Sequence, residues 1–255
     1  MRVLYQFPLS HFCEKARWML DHKELDYVAQ NLVPGVHRLF VQFRTGQHRL
    51  PMLNDDKLWI ADTSDIAEYL DKTYPEHSLY RRDAEQRQHI EQIDTLSQEL
   101  GVHVRRWLFS FILDKKEKAA ELDIILGEKG VLKDLEKISI PVLKFALKRT
   151  HRISKQTVEE SKQKIDEIVA YFNEVLVANG GRYIVGDRLT LADIAVCSMM
   201  APLLMISGTP WESDDMQVDE VILEYQQALL AQPIGQYVKR LYETERHARV
   251  DWRGI

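Results

Sequence analysis

Apolar positions along the first eighty residues switch between two periods. Val3 to Phe7 is a short apolar run ended by Pro8, and it predicts a strand. Phe12, Ala16, Met19 and Leu20 then recur at helical spacing up to His22, with Ser10 placed to cap the helix. Asp26 to Val33 predicts a second strand before Pro34-Gly35. Leu39, Phe40 and Phe43 predict a short helix ending near Gly46. Leu50 to Leu53 and Lys57 to Ile60 predict a hairpin turned by Asn54-Asp55-Asp56. Asp62 to Tyr74 predicts a helix with Ile66, Ala67, Tyr69 and Leu70 facing inward. The predicted order is β-α-β-α-β-β-α.

From Asp83 onward strand signals fade. Gln86–Phe111, Thr157–Ala178, Leu191–Leu204 and Val218–Ala231 carry helical periodicity. Asn179-Gly180-Gly181, Ser207-Gly208-Thr209-Pro210 and Gln232-Pro233 read as breaks. The expectation is an α/β domain over 1–78 and an all-α domain over 86–255, joined near Tyr74-Pro75-Glu76.

Composition narrows the function classes. The 255 residues are 45% hydrophobic and 29% charged, ordinary for a globular chain. A net charge of -5 argues against a broad nucleic-acid-binding face. Two cysteines cannot staple a chain of this size, which favours a reducing, cytoplasmic setting. The apolar stretch from Leu189 to Ile206 is interrupted by Asp193 and Pro202, so no membrane span is expected. No metal site is expected either.

Candidate chemistry gathers at three places. In Ser10-His11-Phe12-Cys13 a helix begins just after a strand, and a helix N-terminus stabilises an anion, including a thiolate. Ser10 could act there or serve only as a cap. Cys13 has the spacing of the second position in a Cys-x-x-Cys motif, the less activated one, and could equally be a small core residue. Pro51 inside Arg49-Leu50-Pro51-Met52 needs a reason, either an edge strand or a cis bond that re-aims Leu50. Asp62-Thr63-Ser64 precedes an apolar helix, as a cap, an anion site or both. Thr190 and Asp193 have capping-box spacing and are expected to be structural.

These features together resemble the soluble glutathione transferase family. The residues that carry the likeness are Ser10 to Arg17, Leu50-Pro51, Asp62-Thr63 before Ile66-Ala67-Glu68-Tyr69-Leu70, and Gly186 to Ile194. The resemblance implies a thioredoxin-like N-terminal domain and a helical C-terminal domain. It implies glutathione as co-substrate, a hydrophobic electrophile as second substrate, and a two-fold homodimer. Ser10 matches the catalytic position of the serine-type classes. Leu50 and Pro51 match the backbone partner of the cysteinyl unit and the cis-proline. Asp62 and Thr63 match the pair holding the γ-glutamyl end, and Arg49 lies where a basic residue approaches the glycyl carboxylate. The tyrosine position of other classes falls on Gln6, one residue from Tyr5, which strand alternation turns away.

The helical half is long for this family, and the excess is expected within 108–158. That stretch holds an apolar run from Ile138 to Leu147. From Lys144 to Lys155 it carries Lys144, Lys148, Arg149, Arg152 and Lys155 with no acid. Such a run is a solvated face or a lid that draws in an acidic ligand. Three functions stay open. The first is transfer of glutathione to an electrophile, and the second is a non-catalytic binding or interaction module. The third is thiol reduction or peroxidation through Cys13.

Overall fold

The computed structural model describes residues 1–35, 37–114, 145, 147–212 and 218–255. The first half follows the predicted order: β1 (Arg2–Gln6), α1 (His11–His22), β2 (Val28–Asn31), α2 (His37–Thr45), β3 (Met52–Asp55), β4 (Leu58–Ala61) and α3 (Thr63–Thr73). The sheet order is β2-β1-β3-β4, with β1 parallel to β2 and antiparallel to β3. A parallel pair needs a crossover, and α1 supplies it. Alternation then sorts the side chains. Leu4, Leu53 and Ile60 join the large core beneath α1 and α3. Tyr5, Met52, Trp59 and Ala61 face α2, where Phe40 and Val41 close a smaller cluster.

The second half consists of α4 (Ala84–Asp114), α5 (Lys155–Ala178), α6 (Leu191–Leu204), α7 (Glu220–Leu230) and α8 (Pro233–Thr244). Every residue of α6 is buried, so it lies at the centre of the bundle. This half is the thioredoxin-like sheet's helical partner, and one apolar cluster runs from Leu4 and Trp18 through Ile93 and Val104 to Ile194 and Val238.

The break read at Gln232-Pro233 separates α7 from a further helix, and Pro233 opens that helix, α8, at a position whose N–H has no helical partner to lose. Its inward residues are Ile234, Tyr237, Val238 and Leu241. In the stretch 108–158, residues 108–114 continue α4, 155–158 begin α5, and 145 with 147–154 are described between them. Residues 115–144 and 146, including nearly all of the run from Ile138 to Leu147, lie outside the described residues.

The C-terminal tail returns to the first domain. Ile255 donates its N–H to Ala29 O at 2.9 Å and accepts from Asn31 N–H at 2.8 Å, extending the β2 edge. Gly254 has φ +61°, and a Cβ there would lie 2.6 Å from Ala29 O, so only glycine fits. Among the described residues no helix is long and apolar enough to cross a membrane.

Candidate functional site

Sheet register assembles the site. Tyr5 pairs with Met52, and Met52 with Ala61. The end of β1, the start of β3 and the end of β4 are therefore neighbours. The residues just outside that row include the approach to Ser10 at the start of α1, Leu50-Pro51, and Asp62-Thr63 at the start of α3. The Leu50–Pro51 peptide bond is cis.

Ser10 is the N-cap of α1, and its Oγ accepts the Cys13 N–H at 3.4 Å. Accepting leaves its one hydroxyl proton free to be donated. Cys13 is fully buried, and its Sγ accepts the Phe7 N–H at 3.4 Å. Burial raises its pKa, against smaller opposing contributions from Phe7 and Ser10. A covered, protonated thiol is a poor nucleophile, so the geometry gives the Cys13 reading no support.

Leu50 lies outside the β1–β3 ladder, and no turn, loop or side-chain hydrogen bond among the described residues uses its N–H or C=O. Arg49 beside it is exposed. Asp62 caps α3 by accepting the Ser64 N–H at 2.9 Å, and it does so with φ +80°. A non-glycine residue held there marks a constrained position of the kind that clusters at ligand sites.

Thr63 is buried, and behind it lies a polar network that sequence reasoning missed. Lys15 Nζ donates to Thr63 Oγ1 at 3.0 Å and also pairs with Asp94 on α4. Asp94 accepts from Ser64 Oγ at 2.5 Å, and Ser64 Oγ accepts from Gln98 Nε2 at 2.7 Å. The network ties both ends of the site, α1 and α3, to the helical domain. Lys15 is wholly buried. Nothing in Glu14-Lys15-Ala16-Arg17 taken alone distinguishes it from a solvated lysine.

Other candidates separate cleanly. Tyr5 stacks on Trp59 at 5.6 Å on the α2 face. Gln6 faces the opposite side, where it accepts from Arg17, donates to Asn31 Oδ1 at 3.1 Å and to Trp252 O at 3.0 Å. It holds structure together. Trp107 is buried edge-on against Phe111 and Tyr225. Asp193 accepts from Thr190 N–H and Ile184 N–H, each at 2.7 Å, and from Tyr237 Oη at 2.6 Å. It fixes the start of α6, as expected of that motif.

Comparison with known proteins places this arrangement. Residues 4–78 match the family model for the glutathione S-transferase N-terminal domain, and residues 136–212 match that for its C-terminal domain. Among solved structures the chain is similar to a glutathione S-transferase from Rhodospirillum rubrum: 21% identity, 98% of this chain and 96% of that one covered, TM-score 0.57. It is also similar to a glutathione S-transferase from Methylobacterium radiotolerans in complex with glutathione sulfonate, at 18% identity, 92% of each chain and TM-score 0.57. A third is the β-etherase LigF from Sphingobium, at 20% identity, 94% of this chain and 98% of that one, TM-score 0.58. At such identities the structures show a shared fold, while the two domain models match the α/β half and the helical half in that order. The chain belongs to the soluble glutathione S-transferase family.

Proposed function

We propose that this chain is a glutathione transferase that adds the glutathione sulfur to an electrophile of mainly apolar surface. The observation that carries the reading is the Tyr5–Met52–Ala61 row, which puts the α1 start, the cis-proline segment and the α3 start side by side. In this reading the start of α3, with Asp62 and Thr63, takes the γ-glutamyl end. Its free N–H groups suit the carboxylate and Asp62 the ammonium. Leu50 pairs its backbone with the cysteinyl unit, and Arg49 approaches the glycyl carboxylate. The Ser10 hydroxyl donates a hydrogen bond to the sulfur while the thiol proton passes to solvent. That donation and the α1 N-terminus favour thiolate over thiol, which raises the nucleophile fraction near neutral pH. The thiolate then forms a bond to the electrophilic carbon as the leaving group departs.

The test is Ser10→Ala assayed with 1-chloro-2,4-dinitrobenzene. Losing one preorganised donor at a developing charge costs about 10²–10³ in turnover. The expected result is that loss with glutathione still bound, beside Cys13→Ser retaining activity. Wild-type protein that holds glutathione but conjugates no electrophile in a broad panel would overturn the reading in favour of a binding module.

A further inference from the structure

Most buried cations in this protein meet an acid. Lys15 meets Asp94, Lys23 meets Asp71, Arg17 meets Glu14, and Arg246 meets Glu14 and Asp21. Arg105 on α4 is different. Its side chain is half-buried, its Nε is buried without a hydrogen-bond partner, and no ion pair or hydrogen bond to it exists among the described residues. Its carbon Cζ lies 5.7 Å from the centre of the Phe12 ring, two residues along α1 from Ser10.

The surroundings deepen the imbalance. Arg49 approaches from the segment before the cis-proline, and Arg106 is the next residue on α4. Arg106 Nε donates to His151 O at 2.9 Å, which brings residue 151 against the same face. Arg38 of α2 and Arg105 both act on His151, and Arg105 acts on His11. Burial, with Arg49 and Arg106 adding to it, lowers the Arg105 pKa to about 10. His151 is lowered to about 4, chiefly by burial and then by Arg105. Among the described residues, none of the groups acting on Arg105 is a carboxylate. A half-buried cation whose described charged neighbours are all cationic is costly unless something anionic arrives.

We infer that Arg105 is the centre of an anion-accepting subsite for the second substrate. It would select electrophiles that carry a carboxylate on an otherwise apolar, aromatic body. The Phe12 ring supplies the flat apolar wall, and the guanidinium supplies the paired N–H donors that suit a carboxylate. The inference rests on the transferase reading for its reaction but not for its binding. The alternative source of the carboxylate is the glycyl end of glutathione itself. Arg49, on the segment beside Leu50, serves that end, whereas Arg105 comes from the helical domain that faces the electrophile.

The test uses two matched pairs. The reactive pair is 4-chloro-3,5-dinitrobenzoate and 1-chloro-2,6-dinitrobenzene. In each, a sulfur–carbon bond forms, the carbon–chlorine bond breaks, chloride leaves and the thiol proton passes to solvent. The unreactive pair is 3,5-dinitrobenzoate and 1,3-dinitrobenzene, with binding followed by quenching of tryptophan fluorescence. Wild type is expected to prefer the carboxylate in each pair. Arg105→Leu should cut that preference on the order of tenfold, the scale of one charged hydrogen bond, and Arg105→Lys should restore part of it. Equal binding of the unreactive pair by wild type would overturn the subsite, whether or not the protein turns over either electrophile. A rise in the glutathione Kd of Arg105→Leu with the preference intact would also overturn it, by assigning Arg105 to the glycyl carboxylate. Failure to conjugate either electrophile, with the binding preference present, would sink the transferase reading and leave the subsite standing.

Discussion

Helix α1 is flanked by two kinds of buried charge. On one flank Glu14 takes Arg17 at 2.9 Å and Arg246 at 2.8 Å, and Arg246 reaches on to Asp21 at 2.7 Å while lying over the Trp18 ring. Burial works against the Glu14 charge, but Arg246 and Arg17 outweigh it and hold its pKa below the usual range. On the other flank Arg105 lies over Phe12 with no acid paired to it among the described residues. The same helix thus has a closed side and an open one. Saturated ion clusters tie domains together, because removing either partner strands the other. An unpaired cation ties nothing together, and the proposed subsite gives it a different role.

Breaking the closed side should have the largest effect. Arg246→Ala leaves Glu14 and Asp21 without their cation and should cost about 3–5 kcal/mol in urea unfolding. A loss under 1 kcal/mol would show that water reaches the cluster. Lys15→Met strands Asp94 and should cost about 3 kcal/mol, most of it recovered in Lys15→Met/Asp94→Leu, where neither charge is left alone. Absence of that recovery would mean the pair stabilises on its own account.

Acid probes both flanks. Burial lowers the pKa of His11 to about 3 and that of His22 to about 4, so both stay neutral in the folded chain. Unfolded, they take up a proton below about pH 6.5. The unfolded state then binds more protons, so stability falls as pH drops from about 6.5 towards those folded values. Each imidazole contributes up to about 1.4 kcal/mol per pH unit. Glu14 acts in the same direction at lower pH, because its folded pKa is depressed. His11→Gln should make the acid limb shallower in a pH series of urea midpoints; an unchanged slope would refute the assignment.

The smallest effect has the opposite sign. Arg105→Leu removes a half-buried cation that is unpaired among the described residues and should raise stability by about 1 kcal/mol, a Tm gain of about 2–4 °C. A variant that gains stability while losing discrimination between anionic and neutral ligands is what the proposed subsite predicts. A variant that loses stability would identify Arg105 as a structural pillar.

Much of this was legible beforehand, for physical reasons that vary by residue. The α/β order could be read because its elements are short and end in Pro8, Pro34-Gly35 and Pro75, punctuation that local sterics enforce. Ser10 and Asp62 showed themselves as caps because capping is local too. Lys15, Asp94 and Arg105 did not, because a charged residue on an amphipathic helix looks solvated until another helix covers it. α8 was hidden by its own first residue, since a proline that opens a helix and one that ends a helix look alike in sequence. The tail from Trp252 to Ile255 has no periodicity, and its partners lie more than two hundred positions away.

That tail has a consequence for the order of events during synthesis. Gln6 donates to Trp252 O, and the outer edge of β2 is completed by Ile255. Residues 252–255 leave the ribosome after everything they bind. Until then the first domain emerges with β2 unguarded and a buried amide short of one acceptor. An open strand edge invites pairing with another chain. The nascent protein is therefore exposed to self-association through β2 until residues 252–255 have been made and docked.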